Sequence, residues 1–384
     1  MTFKLNKSLM LISLAVASAL PALSANAGAT ISFGEDKSLS VGFGFISSYS
    51  SVEDAAADGS RSNDFDLNSA RLYLSGSFNK YIKGMLNTER SGGGDKGNVE
   101  VIDANVQFYI TPEIAIWAGR FLSPSDRANM AGPYYSMGGG YWSSIASRYG
   151  FNGGIIGRDE GVALVTSFME DHLAISFGAF NGDNTFRFSG VGAQSEDSAA
   201  AKALNVDDKL MYAGRLQYDF WDAEPGYYGT GNYFGAKDIL AIGISGRQKS
   251  DGAISLIDKG DYTSYSVDFL LEKKDVGPGT FSAEAAYYDY DTDDVFLSEQ
   301  GKAYSAAVGY LFSTPVGWGQ FMPFARYQKF DSDAATASET KKWEIGTNYI
   351  IAPYNALITA GYSDTKVSGS DSTNAFTVAL QMQF

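Results

Sequence analysis

Few side chains in this sequence are suited to covalent or metal chemistry. There is no cysteine and one histidine, His172, which follows Glu170 and Asp171 in a turn-like stretch. Without thiols there is no disulfide framework, zinc-thiolate site or CxxCH haem attachment. A lone histidine with no second histidine and no nucleophile beside it builds neither a metal site nor a Ser–His–acid arrangement. No catalytic residue, metal ligand or cofactor is therefore expected. The denser chemistry is ionic. From Leu122 to Asp159 the chain reads LSPSDRANMAGPYYSMGGGYWSSIASRYGFNGGIIGRD, with Arg127, Arg148 and Arg158 among Tyr134, Tyr135, Tyr141, Trp142, Tyr149 and Phe151. Guanidinium groups stay charged at any working pH, so they can sort ions by sign. The glycines Gly138 to Gly140 form no phosphate cradle, since no GK[ST] follows them.

Such a stretch needs a frame to hold it. An insertion of about forty residues without regular structure is uncommon inside a domain, and is functional or disordered. Its aromatic content argues against disorder. On both sides of it the chain alternates in the period of strands. Leu39, Val41, Phe43 and Phe45 alternate with Ser40, Gly42 and Gly44. Ala70, Leu72 and Leu74 oppose Ser69, Arg71 and Tyr73, and Ile102, Ala104, Val106 and Phe108 oppose Asp103, Asn105 and Gln107. In the next segment Trp117 and Phe121 fall on one face and Arg120 on the other. The pattern resumes after the insertion and runs to Phe376, Val378, Leu380, Met382 and Phe384. About sixteen such segments can be counted. Their connections alternate between tight ones, as at Asn79 and Pro112, and longer Gly- and Asp-containing ones; the connection after Phe220 breaks this rule.

The first residues give an address. Lys4 and Lys7 precede an apolar run from Leu9 to Leu20 and then Ala25-Asn26-Ala27. That is the pattern of an export signal cleaved after Ala27, which leaves residues 28–384 as the folded domain. Lys+Arg number 29 against 44 Asp+Glu, and removal of the leader makes the chain more acidic still. This disfavours nucleic acid, which requires a basic footprint. No later stretch has the 18 or so apolar residues of a membrane helix. An exported, helix-poor, aromatic-rich chain with an even number of amphipathic strands points to an all-β fold. The expected form is a transmembrane antiparallel β-barrel of about sixteen strands in the bacterial outer membrane. A soluble sandwich would need two domains for this many strands, and no linker divides the chain.

A barrel of that size is too wide for strand side chains to fill and holds a water-filled channel. Residues 122–159 then form the third external loop, folded inward to narrow it. The runs DLNSARLYLSGSFNKYIKGMLNTE (66–89), VIDANVQFYITPEIAIWAGRFLSPSDRANMAGPYY (101–135) and EPGYYGTGNYFGAKDILAIG (224–243) resemble the phosphate-selective porin O and P family. The resemblance implies a sixteen-stranded porin, usually a homotrimer, whose basic residues line the path of small hydrophilic solutes or ions. On that basis Arg127, Arg148, Arg158, Tyr134 and Tyr135 are candidate constriction residues, and Arg71, Arg120, Arg215, Arg247 and Arg326 candidate pore-lining ones. Asp103 and Glu284 also point inward by their strand period, and with Asp268 and Glu344 they oppose strong phosphate selectivity. A weak preference for anions is expected. The arginines have a second role open to them, bracing the wall by pairing with lumen carboxylates. Two other functions are open to such a fold: a barrel that sheathes a partner such as a cytochrome electron conduit, and a barrel enzyme.

Overall fold

In the computed structural model, the described residues are 28–34, 36–91, 97–138, 145–147, 157–182, 199–296, 298, 300–333 and 338–384. The expected leader, Arg148, Tyr141, Trp142, Tyr149 and Phe151 lie outside them. The strands are β1 (Gly28–Ser32), β2 (Ser38–Val52), β3 (Asp64–Asn79), β4 (Ile82–Ser91), β5 (Asn98–Thr111), β6 (Ile114–Leu122), β7 (Arg158–Phe168), β8 (Leu173–Phe180) and β9 (Met211–Asp219). After them come β10 (Ile239–Ile254), β11 (Lys259–Val276), β12 (Gly279–Asp291), β13 (Gly301–Phe312), β14 (Gln320–Ser332), β15 (Glu339–Ala352), β16 (Ala356–Val367) and β17 (Thr373–Gln383). Two short helices, α1 (Arg127–Ala131) and α2 (Ala199–Ala203), lie in connections.

From β2 onward every strand pairs antiparallel with the next, and β17 returns to β2. The result is a closed antiparallel barrel of 16 strands. Closure leaves no bare strand edge, the condition for a sheet in lipid. β1 stands apart from the ring. It pairs with Ser38–Gly42 of β2, below the point where β17 gives out at Gln383 opposite Gly44. Phe43 and Phe384 exchange backbone hydrogen bonds at that junction, 2.7 and 2.9 Å long.

The alternation read from the sequence sorts side chains between two solvents. Leu86, Phe108, Ile116, Leu164, Phe177, Leu216, Ile244, Val308, Ile345 and Leu380 stand exposed on the outer face. Ser245, Ser266, Gln217, Gln328, Asp268 and Arg247 are buried on the inner one. An apolar exterior around a polar interior is the inverse of a soluble barrel and fits a lipid surroundings. No helix among the described residues is long and apolar enough to cross a membrane, so the strands do the crossing.

At the end carrying the chain termini, hereafter the lower end, Asn79–Ile82, Thr111–Ile114 and Val276–Gly279 are closed by tight turns. The segment between β9 and β10, residues 220–238, is the exception. It does not turn outside the barrel but rises into it.

Candidate functional site

Residues 123–138 leave β6 and enter the lumen, where residues 145–147 also lie. Asp126 caps α1 by accepting from the Asn129 amide at 3.3 Å, and its carboxylate also accepts from Ser147 (2.8 Å) and Tyr288 (3.0 Å). Burial pushes the Asp126 carboxyl above the ordinary aspartate value. The strand walls hold this segment largely through its main chain. Arg215 donates to the Ser125 carbonyl (3.0 Å), Arg326 to that of Met137 (2.9 Å), Tyr290 to that of Ala146 (2.8 Å) and Gln381 to that of Tyr134 (3.0 Å). Gln328 accepts the Ile145 amide at 2.7 Å. Side chains on β9, β12, β14 and β17 thus fix its course, and the Tyr134 hydroxyl reaches Ser69 on β3 at 2.9 Å.

Residues 220–238 meet this segment from below. Glu224 forms a two-pronged pair with Arg127, at 2.8 and 2.7 Å. Arg127 also donates to the Thr230 carbonyl (2.9 Å), and its amide donates to Asp268 (3.0 Å). The paired side chains are 1% and 4% exposed. Burial opposes the Glu224 charge, but Arg127 and the hydrogen bonds it brings outweigh that and hold the carboxyl below its ordinary value. The Gly231 amide and the Thr230 hydroxyl both donate to the Tyr135 carbonyl, at 2.8 and 3.1 Å. A Cβ on Gly231 would stand 2.7 Å from a Glu284 carboxylate oxygen and 3.4 Å from the Met137 amide, so a side chain there would crowd Glu284 and touch the upper segment. Lower down, the amides of Tyr233 and Gly235 donate to Glu272 at 2.8 and 2.6 Å, and Tyr354 donates to the Asn232 carbonyl at 2.5 Å.

These contacts change the roles expected of several residues. Arg127 does not present its charge to open solvent; Glu224 and Asp268 enclose it. Arg158 is 6% exposed at the root of β7, with Nε 3.5 Å from Asp103. Tyr134 is buried, with the Arg71 guanidinium 5.3 Å from its ring, and Tyr135 packs on Tyr354 at 4.9 Å. Arg71, Arg215 and Arg326 face the interior, paired with Glu89 (2.5 Å), Asp268 (2.5 Å) and Glu344 (3.1 Å). Arg247 faces inward as well, 3.5 Å from the Ser123 carbonyl, and Asp103 and Glu284 are buried inside. Arg120 does not line the lumen. It sits cross-strand from exposed Ala104 and pairs with Glu160 on the outer face, because the inward positions of β6 belong to Ala115, Trp117 and Phe121.

That wall is the part sequence periodicity missed. Trp117, Phe121, Phe180 and Met211 form an apolar cluster inside the barrel, and Tyr227 and Tyr228 pack on it. The Trp117 and Tyr227 rings are 4.8 Å apart. A signal was present: residues 224–235 share the Gly- and Tyr-rich composition of 122–159, on a side of the barrel where connections are otherwise tight.

Among the described residues, cavities lie around the two segments. One of about 340 Å³ lies against β2, β3 and β14–β17, lined by Ser69, Pro133, Arg326, Lys342, Glu344 and Gln381 among others. A second, about 60 Å³, lies between α1 and β3–β5, beside Arg71, Asn87, Asp103, Asn129 and Arg158. The third, about 260 Å³, opens at the lower end beside Tyr109, Trp117, Arg215, Gln217 and Tyr227.

No family model and no curated protein matches the chain, so the phosphate-selective subfamily gains no support there. Solved structures do match it. The anion-selective porin from Comamonas acidovorans aligns at 14% identity over 91% of this chain and 100% of its own, with a TM-score of 0.56. Salmonella typhi OmpF, solved with daunomycin, aligns at 12% identity over 93% and 100%, with a TM-score of 0.59. The trimer form of OmpT, an outer membrane protein of Vibrio cholerae, aligns at 13% identity over 91% and 100%, with a TM-score of 0.54. At such identities the likeness is one of fold, and the fold is that of bacterial outer-membrane porin barrels.

Proposed function

We propose that this protein is an outer-membrane porin, a water-filled channel through which small hydrophilic solutes and ions diffuse passively. One observation carries this: a closed ring with an apolar outside and a polar inside, crossed by a long segment that narrows the lumen without sealing it into a core. Residues 1–27 act as the export leader, residues 28–384 as the barrel and residues 122–159 as the constriction loop. The lower end faces the periplasm, and three copies assemble side by side in the outer-membrane lipid. Selectivity between ions is weak. The charges nearest the open spaces, Arg71, Arg158 and Arg326 with Lys342, stand beside Glu89, Asp103 and Glu344. Paired charges leave only a small net field in the passage, so any anion bias is modest. A barrel sheathing a partner is less well supported. It would need both inward segments withdrawn, which takes apart the buried Arg127–Glu224 pair and the hydrogen bonds around it. Conductance of the purified protein in planar bilayers tests the proposal. Stepwise channels of ohmic current are expected, and a barrel that folds and inserts yet carries no current would refute it.

A further inference from the structure

The wide upper cavity leads down to a filled region. Beneath it Gln381 ties the carbonyls of Tyr134 and Tyr354, at 3.0 and 2.8 Å, and the Tyr354 ring packs against Tyr135 and Phe234, at 4.9 and 5.1 Å. On the other side of the lumen the spaces continue. Met130 of α1, with Tyr228 and Gly229 of the rising connection, lines both the cavity of about 60 Å³ and the lower one of about 260 Å³. These three residues stand between a chamber edged by Arg71, Asp103 and Arg158 and the mouth at the lower end.

Tyr228 is the largest of the three at that point. Its hydroxyl donates to Asp103 on the β5 wall at 3.1 Å, and its ring lies 5.2 Å from that of Tyr227 and 6.3 Å from that of Trp117. The backbone on either side of it is loosely packed. A Cβ on Gly226 would meet nothing within 4 Å, and one on Gly229 would meet only the Met130 Cβ, at 3.7 Å.

We propose that residues 220–238 form a second constriction, set from the lower end, and that Tyr228 is its gate, which a hydrophilic solute passes by displacing the Tyr228–Asp103 hydrogen bond. This rests on the porin function above. It also moves the size-limiting point of the channel away from the external loop alone, to a residue outside the candidate constriction set.

Single-channel conductance in planar bilayers tests it, with heat-modifiable gel mobility showing that each variant is folded. Tyr228→Ala should raise conductance about twofold by widening the passage, and Gly229→Trp should lower it by a similar factor by filling it. Folded variants that both keep the parent's conductance would overturn the gate and leave the porin function standing. If one variant fails to fold, the other decides by the same criterion. If neither the parent nor a folded variant carries current, the gate and the porin function fall together.

Discussion

Two segments enter the lumen of this barrel, and they are held in different ways. Residues 123–138 and 145–147 belong to the end with longer connections and are gripped mostly by their backbone, through Arg215, Arg326, Gln381 and Tyr290 on four strands. Residues 220–238 come from the end with tight turns and add to main-chain contacts at residues 230–235 a set of anchors made by their own side chains: Glu224 on Arg127, Tyr227 on the Leu122 carbonyl, Tyr228 on Asp103 and Asn232 on Ser282. A segment gripped by its backbone tolerates changes in its own side chains. One that reaches out with its side chains can be released by a single substitution. The two meet at a buried ion pair and at the hydrogen bonds of Thr230 and Gly231 beside it, so the upper segment is also the seat of the lower one.

The largest effect should come from splitting that pair. Arg127→Ala leaves Glu224 buried and uncompensated, a loss of about 3–5 kcal/mol. It should release the lower segment while the wall contacts keep the upper one in place, raise single-channel conductance and lower the temperature at which the folded gel band disappears. Replacing both partners by methionine should restore most of the lost stability. If the double variant is as unstable as the single one, the pair is not what joins the segments.

A smaller effect should follow from wedging the segments apart while leaving the pair intact. Gly231→Val drives a side chain into Glu284 and the Met137 amide. Overpacking of this kind costs about 1–3 kcal/mol. Noisy, flickering conductance is expected, and a quiet channel of parental size would show that the contact is not tight.

Acid should act more gently. The folded Glu224 carboxyl titrates below its ordinary value of 4.5, so its stabilisation is complete above that value and is lost as pH falls through the lowered one. The joint should therefore hold at pH 5 and loosen only below 4.5. In Glu224→Gln the acid-induced rise in conductance should shrink. A parent channel that opens between pH 7 and 5 would point to a different titrating group.

Least of all should come from Arg120→Ala. This residue pairs with Glu160 on the outer face, and exposed pairs are worth about 0–1 kcal/mol. The reversal potential in a salt gradient should not move, whereas Arg158→Ala, beside the small cavity, should shift it toward cations.

The strands were legible because a period of two records which solvent each side chain meets, and lipid against water is a strong contrast. The rule fails at β6. There Trp117 and Phe121 look like a lipid face, but Tyr227 and Tyr228 cover them from inside. The long upper insertion announced itself by losing that period. The role of Arg127 within it did not, because its partner Glu224 is 97 positions away and nothing local distinguishes an arginine facing ions from one facing a carboxylate. For the same reason the rising lower connection read only as a long turn. Its direction depends on Asp103, Glu272 and Ser282, each on a different strand.

The short strand β1 has a consequence for how the molecule is completed. β2 is bordered on one side by two pieces of chain, residues 28–32 below and 375–383 above, which are nearly the first and the last of the described residues. A chain missing either piece has a gap along one strand, with backbone amides and carbonyls left without partners. Such a gap at the rim is an adhesive edge for any other extended chain. The zipper therefore fastens only when both tabs are present. A copy lacking residues 28–32 or 375–383 keeps an open flank along β2.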